Sequence, residues 1–94
     1  MNLRIMKVKE LLKLINEAEV NVRIAIVTFS MRANESPYTS FEFIQESLKL
    51  QDVLNDLTKI KAELKGMDPE ADIEVSENLI KWLKELINFK AHLF

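Results

Sequence analysis

Residues 19–31 (EVNVRIAIVTFSM) are the one long β-like segment in a chain that is otherwise dominated by lysine, glutamate and leucine at helical spacing. β-Branched side chains alternate along it, which is the pattern of a pleated strand. One face of that strand would carry Val20, Val22, Ile24 and Ile26. Because a strand must pair with another strand and two strands alone are marginal in water, the segment predicts a β-hairpin that is short of partners.

The composition excludes several kinds of chemistry. One glycine and no cysteine among 94 residues leave no disulfide, thiolate metal site, cysteine nucleophile or glycine-rich phosphate loop. No stretch approaches the roughly 18 apolar residues of a membrane-spanning helix, and the first residues lack the apolar core of a secretory signal. We therefore expect a single cytoplasmic domain, and a net charge of −2 favours no generic contact with nucleic acid.

Two segments with helical periodicity flank the predicted hairpin. Residues 7–18 and 47–65 repeat apolar side chains in steps of three and four, which predicts amphipathic helices. The apolar positions are Val8, Leu11, Leu12 and Ile15 in the first segment and Leu50, Val53, Leu57, Ile60 and Leu64 in the second. Gly66 is expected to end the second helix.

The segment between these helices has two interpretations. Residues 32–37 (RANESP) predict the hairpin turn, and residues 38–44 (YTSFEFI) predict its second arm, in which Phe41 and Phe43 share a face. In the rival interpretation a helix begins here and Ser40 caps it. We prefer the strand.

The last third of the chain is also open to two interpretations. Asp68 and Pro69 can begin one helix that runs to the final residues, or a short extended piece at 73–75 can precede a helix capped by Ser76, which we prefer. In both cases residues 77–93 are helical and carry more apolar surface than a small monomer easily hides. The predicted oligomer interface is one stripe of this helix, consisting of Trp82, Leu86, Phe89 and Leu93.

Together these segments predict a small α+β fold with the order αββαα, in which a β-hairpin packs against amphipathic helices. A short strand at residues 3–5 or 73–75 would widen the sheet. All 94 residues belong to one domain in this interpretation, because a chain of this length supports a single hydrophobic core.

One short segment resembles known proteins. Residues 64–75 (LKGMDPEADIEV) combine a helix end, an acidic turn and the start of a strand. This pattern resembles the helix, turn and strand of many small phage and prophage proteins of unassigned role. The resemblance implies a viral origin, and it assigns a role to no residue.

No combination of residues predicts catalysis. His92 is the only histidine and lies where fraying is expected, without partners that would position its imidazole. The acidic run at 68–74 has the spacing of a calcium loop, but Ile73 occupies the position that needs glycine and Leu79 the position that needs glutamate. We expect a non-enzymatic protein without a metal or cofactor.

Two groups of like charge are candidates for partner recognition. The acidic group, predicted to dock a basic protein, comprises Asp68, Glu70, Asp72, Glu74 and Glu77. The basic group comprises Lys7, Lys9, Lys13, Arg23 and Arg32, and Tyr38, Phe41 and Phe43 could add stacking groups for nucleic acid.

The leading functional hypothesis is a small regulatory protein that binds other proteins and forms a homodimer or higher homo-oligomer. Association would complete both the hairpin and the terminal helix. Together with the resemblance, this suggests a phage-encoded inhibitor of a host protein as one form of the role. The alternative is a small nucleic-acid-binding transcriptional regulator that uses the hairpin and the basic N-terminal helix.

Overall fold

A computed structural model describes residues 2–35, 37, 38 and 40–90 of the chain. Within these ranges the protein has three helices and two strands. In chain order they are β1 (Leu3–Lys7), α1 (Val8–Glu35), α2 (Ser40–Lys65), β2 (Asp72–Ser76) and α3 (Glu77–Asn88). The predicted α+β class is confirmed, but the order is βααβα and the predicted order αββαα is wrong.

The predicted strand at residues 19–31 is wrong, because the whole segment belongs to α1. The alternation of β-branched residues hid a second pattern with helical spacing. The buried positions of the helix continue through the segment without a break, at Leu11, Ile15, Ala18, Val22 and Ala25. No glycine or proline interrupts the chain before Pro37, and β-branched residues cost a helix only about 0.5 kcal/mol each. Extending α1 is therefore cheaper than forming an unpaired strand.

The predicted second arm at residues 38–44 is also wrong, since α2 begins at Ser40 and includes Phe41 and Phe43. The rival interpretation of a helix at this point is the one that the structure supports. The predicted turn at 32–37 is wrong for residues 32–35, which belong to α1. Pro37 and Tyr38 lie in the connection, which joins two antiparallel helices. The predicted helix at 47–65 is confirmed. It forms the second part of α2, which is 26 residues long.

The two strands form a small antiparallel ribbon from opposite ends of the chain. Leu3 pairs with Ser76, Ile5 with Glu74 and Lys7 with Asp72. Both segments that were expected to be extended, 3–5 and 73–75, are therefore strands, and they pair with each other. Each strand leads directly into a helix.

The turn between α2 and β2 accepts hydrogen bonds from the start of α1. Gly66 follows the last residue of α2 as predicted, but it does not adopt a left-handed conformation. Asp68 does not cap a helix; its carboxylate accepts a hydrogen bond from the Glu70 backbone N–H at 3.0 Å. The carbonyls of Pro69 and Ala71 accept hydrogen bonds from the first backbone N–H groups of α1, which would otherwise lack partners.

The helix break at Ser76 is confirmed. The Ser76 side chain accepts a hydrogen bond from the Asn78 backbone N–H at 3.1 Å, as a helix N-cap does. The predicted helix at 77–93 ends earlier, at Asn88, and its last predicted residues, 91–93, lie outside the described ranges.

The hydrophobic core lies at the end of the α1–α2 hairpin that carries the ribbon. α3 packs against α1, and both helices start at the ribbon. Core side chains include Val8, Leu11, Ile15, Leu57, Leu64, Val75, Ile80 and Leu83. The other end of the hairpin projects from this core, and the molecule measures 50 × 25 × 17 Å.

Candidate interaction surface

The stripe of α3 that was predicted as the oligomer interface faces the chain's own core in part. Trp82 and Leu86 are half-buried and pack against the core cluster. Phe89 is exposed, and its ring lies 6.4 Å from that of Phe29 on α1. Leu93 lies outside the described residues. Two of the four residues thus pack against the chain's own core.

A side chain that the sequence analysis did not single out fixes the end of α3. The Asn21 carboxamide on α1 donates hydrogen bonds to the backbone oxygen atoms of Leu86, at 2.7 Å, and of Phe89. These carbonyls close the last turn of α3, where intrahelical donors run out. Asn21 therefore holds α3 parallel to α1. Only its position, in an otherwise apolar part of α1, could have indicated this role.

The predicted acidic and basic groups meet at the ribbon. The Lys7 ammonium lies 3.6 Å from the Asp72 carboxylate, and the Lys9 ammonium lies 2.8 Å from that of Glu70. The hydrogen bond with Glu70, reinforced by the charge of that carboxylate, raises the pKa of Lys9 above its ordinary value. The same bond and the Lys9 charge lower the pKa of Glu70. These four charges largely satisfy one another.

The remaining acidic candidates form no compact site. Asp68 is engaged with the backbone of its own turn. Glu74 lies on the outer face of the ribbon opposite Ile5, and Glu77 is exposed at the first position of α3. As a docking surface for a basic partner, this group stays a prediction with Glu74 and Glu77 as its free members.

The remaining basic candidates are spread along α1. Arg23 pairs with Glu19 at 3.5 Å and Arg32 with Glu35 at 3.1 Å, while Lys13 is exposed. At about 1.5 Å per residue, Arg32 lies roughly 35 Å from Lys9 along the helix axis. The structure does not bring the five cations together.

The aromatic candidates for base stacking are also divided. Phe43 is half-buried, and its ring stacks on Phe29 with a centroid distance of 6.0 Å. Tyr38 and Phe41 are exposed at the tip of the hairpin. They lie near Arg32 and far from the lysines at the ribbon.

An exposed apolar stripe runs along α1 on the side opposite to its buried positions. The residues of this α1 stripe are Val20, Ile24, Val27 and Met31. They are spaced by four, three and four residues, so they lie in one line on the helix surface. The buried side of α1 and the side opposite to it are thus both apolar in this part of the helix. This is typical of a helix that is covered on more than one side.

A second exposed stripe lies on α2 and consists of Phe41, Ile44 and Leu48. Two adjoining hollows between the helices connect the stripes. The first is bordered by Val27 and the second by Ile44 and Leu48, and Gln51 lines both. We call the two stripes together the apolar face.

The apolar face was missed at the sequence level for an identifiable reason. Four of its seven members lie within the segment 19–31. As a strand, that segment would have divided them between its two sides, so the spacing of Val20, Ile24, Val27 and Met31 was not considered. The helical period applied to the whole of α1 would have shown it.

The described residues offer little else for a site. Within them, no group of three or more His, Cys, Asp or Glu side chains could hold a metal ion, and His92 lies outside the described ranges. Across the same part of the chain, every helix is too short or too polar to span a bilayer.

Three comparisons with known proteins, covering protein-family models, curated proteins and solved structures, found no match to this chain.

Proposed function

We propose that this protein is a small, non-enzymatic interaction and regulatory protein that acts as a homo-oligomer, with the apolar face as its self-association surface. The single observation that carries the proposal is the extent of that face. Its seven side chains each expose between 48% and 69% of their surface. The proposed interface therefore lies on α1 and α2, whereas the sequence analysis predicted it on α3.

The area of the face supports a protein interface. If each side chain contributes on the order of 100 Å², the α1 stripe exposes roughly 400 Å² and the α2 stripe roughly 300 Å² of apolar surface per copy. Because polar side chains separate the stripes, each stripe alone lies within the range of about 300–600 Å² for the largest apolar patch on a typical monomer. Two copies that covered both stripes would bury about 1,400 Å² together, which lies within the range of specific protein interfaces.

The composition of the face also supports a protein partner. Its residues are valine, isoleucine, leucine, methionine and phenylalanine, while the groove between the stripes is lined by polar side chains. These are Arg23, Ser30, Asn34, Gln51 and Asn55. An apolar contact surface with a few polar groups that fix orientation is typical of association between folded proteins. We propose the regulatory role as occupation of another protein's surface rather than chemistry on a substrate.

The proposal is tested by the mass of the protein in solution. Light scattering after size exclusion, over a range from low to high micromolar concentration, should give a mass above the 11.0 kDa of one chain. The double variant Ile24→Lys with Val27→Lys should reduce the mass to that of one chain, because two charges would be buried without partners.

The matched control is Ile5→Lys. Ile5 is an equally exposed apolar residue, but it lies on the outer face of the ribbon, away from the apolar face. This variant should keep the mass of the unmodified protein, and circular dichroism should show the same helix content in all three proteins. A single-chain mass for the unmodified protein at high micromolar concentration would refute the proposal.

A further inference from the structure

We infer that the second copy binds with its α1 helix antiparallel to the first, so that the two α1 stripes form a seam about a twofold axis. The inference rests on the proposed function and specifies its geometry. The stripe has the alternating spacing of four and three residues that two helices use to pack along a seam. Its centre lies between Ile24 and Val27. A twofold axis there places Ile24 opposite Val27 of the second copy and Val20 opposite Met31 of the second copy.

The charges at the two ends of the stripe favour this direction. Lys13 and Glu17 lie at exposed positions before Val20, and Glu35 lies at an exposed position after Met31. Parallel helices would place each of these charges beside the same residue of the second copy, and like charges repel. In the antiparallel register, Glu35 of the second copy lies opposite Asn16, between Lys13 and Glu17, at both ends of the seam, and no charge lies beside the same residue of the second copy.

The shape of the molecule favours the same direction. The stripe starts beside α3, where Val20 and Ile87 line a common hollow, and it ends at Met31, where only two helices are present. In the antiparallel arrangement the narrow end of each copy lies beside the three-helix end of the other. Met31 of the second copy then reaches both Val20 and Ile87, which adds apolar area to the seam.

The area of this seam is sufficient for a modest dimer. The four stripe side chains and Ile87 of each copy, with the flanking polar residues, bring the total buried area to about 1,200 Å². That is the lower end of the range for specific interfaces. We therefore expect association at micromolar concentrations, with the mass rising across the concentration series.

Cysteine cross-linking tests the relative direction of the two α1 helices. Because the chain contains no cysteine, no disulfide can form except through the introduced residues. Val20→Cys and Met31→Cys are made as separate proteins, then oxidised alone and as an equimolar mixture. A disulfide requires Cα atoms about 4.4–6.8 Å apart. The antiparallel seam predicts a band at twice 11.0 kDa that contains one chain of each variant and forms only in the mixture.

Two other arrangements give different results. A cross-linked Val20→Cys homodimer would show parallel α1 helices. A cross-link between Met31→Cys and Leu48→Cys in a mixture would show α1 of one copy lying over α2 of the other. Either result, or the absence of all these cross-links in a protein that is a dimer by mass, overturns the antiparallel seam and leaves the proposed function standing.

Two further measurements keep the outcomes separate. The mass of every variant is determined before oxidation, and a single-chain mass for the unmodified protein refutes the proposed function itself. If a substitution at an end of the seam prevents folding or association, the pair Ile24→Cys and Val27→Cys gives the same test at the centre. These two variants should also cross-link only when mixed.

Discussion

The two ends of the α1–α2 hairpin are built from similarly apolar sequences but differ in what covers them. At the end that carries the ribbon, α3 and the two strands enclose large side chains such as Ile15, Leu57 and Leu83. Among the described residues beyond Val22 towards the tip, the buried ones are the small side chains of Ala25 and Ser47. The Ser30 and Ser47 hydroxyl oxygens lie 3.3 Å apart across the helix contact there.

This difference separates the apolar residues of the chain into two sets. Near the ribbon they meet side chains of the same chain, and they account for the folding of one copy. Near the tip, Ile26, Phe29 and Phe43 pack between the helices, while Val27, Met31 and the α2 stripe lie on the outside. The proposed second copy would turn this outer set into buried surface.

The largest expected effect follows from a matched pair of isoleucines on α1. Ile15→Ala removes a fully buried side chain and should lower the free energy of unfolding by about 2–5 kcal/mol. Ile24→Ala removes one that is 58% exposed, and at a dilution where one copy predominates it should change the free energy by less than about 0.5 kcal/mol. Urea unfolding followed by circular dichroism measures both.

The same pair sharpens the comparison at high protein concentration. There the unmodified protein should unfold at a higher urea concentration than when dilute, because association stabilises the folded state. Ile24→Ala should reduce this concentration dependence, and Ile15→Ala should lower the midpoint at every concentration. Equal losses for the two variants in dilute solution would mean that the tip is as well packed as the ribbon end.

An intermediate effect is expected at the boundary between the two regions, where Asn21 holds the end of α3. Asn21→Ala should cost about 1 kcal/mol, because the exposed Phe89 carbonyl loses this donor and the Leu86 carbonyl keeps only the Phe89 backbone N–H, at 3.3 Å. Asn16→Ala is the control, since it is an exposed asparagine in the same helix and gains the same helix propensity.

The location of this loss can be measured as well as its size. Hydrogen exchange of the α3 amides should accelerate in Asn21→Ala and not in Asn16→Ala, while the amides of α2 keep their protection. If both asparagine variants behave alike, α3 is held by its apolar packing alone and Asn21 plays no special part in joining the two regions.

The sequence predicted the ribbon end of the molecule better than the tip. The short strands, the Ser76 cap and the helix at 47–65 were each indicated by a local signal: alternation, a capping side chain or a steady period. Their pairing was not foreseen, because strands from opposite ends of the chain meet through contacts that no local pattern records. The apolar partner surface was predicted on α3, whereas the surface proposed from the structure lies on α1 and α2.

The tip was misread because two periods fit the same residues. Between residues 19 and 31 the β-branched side chains satisfy a period of two, while Ala18, Val22 and Ala25 continue the helical stripe begun by Leu11. β propensity reflects a packed, half-covered surface more than an intrinsic preference of the backbone. Without a partner strand, the helix already begun at Val8 continues, and the propensity of the segment is overridden.

The smallest expected effect concerns the exposed pair Lys9 and Glu70, which joins α1 to the turn before β2 at 2.8 Å. The Glu70 pKa is lowered, so the pair contributes to stability above the ordinary glutamate pKa and loses its contribution as the pH falls through the lowered value. The Lys9 pKa is raised, so the contribution also disappears as the pH rises through that raised value. The pair is therefore intact throughout the neutral range.

Because both side chains are open to water, their effect on unfolding should be too small to resolve, and the titration itself is the appropriate measurement. Carboxyl carbon NMR should show Glu70 titrating at a lower pH in the unmodified protein than in Lys9→Met. Lys59→Met, which changes an exposed lysine on α2, should leave the Glu70 titration unchanged. Added salt should move the Glu70 titration in the unmodified protein towards that of Lys9→Met, because exposed charges are screened. An identical Glu70 titration in all three proteins would show that the Lys9–Glu70 pair does not form in solution, and that the backbone hydrogen bonds and Lys7 hold the turn to α1 without it.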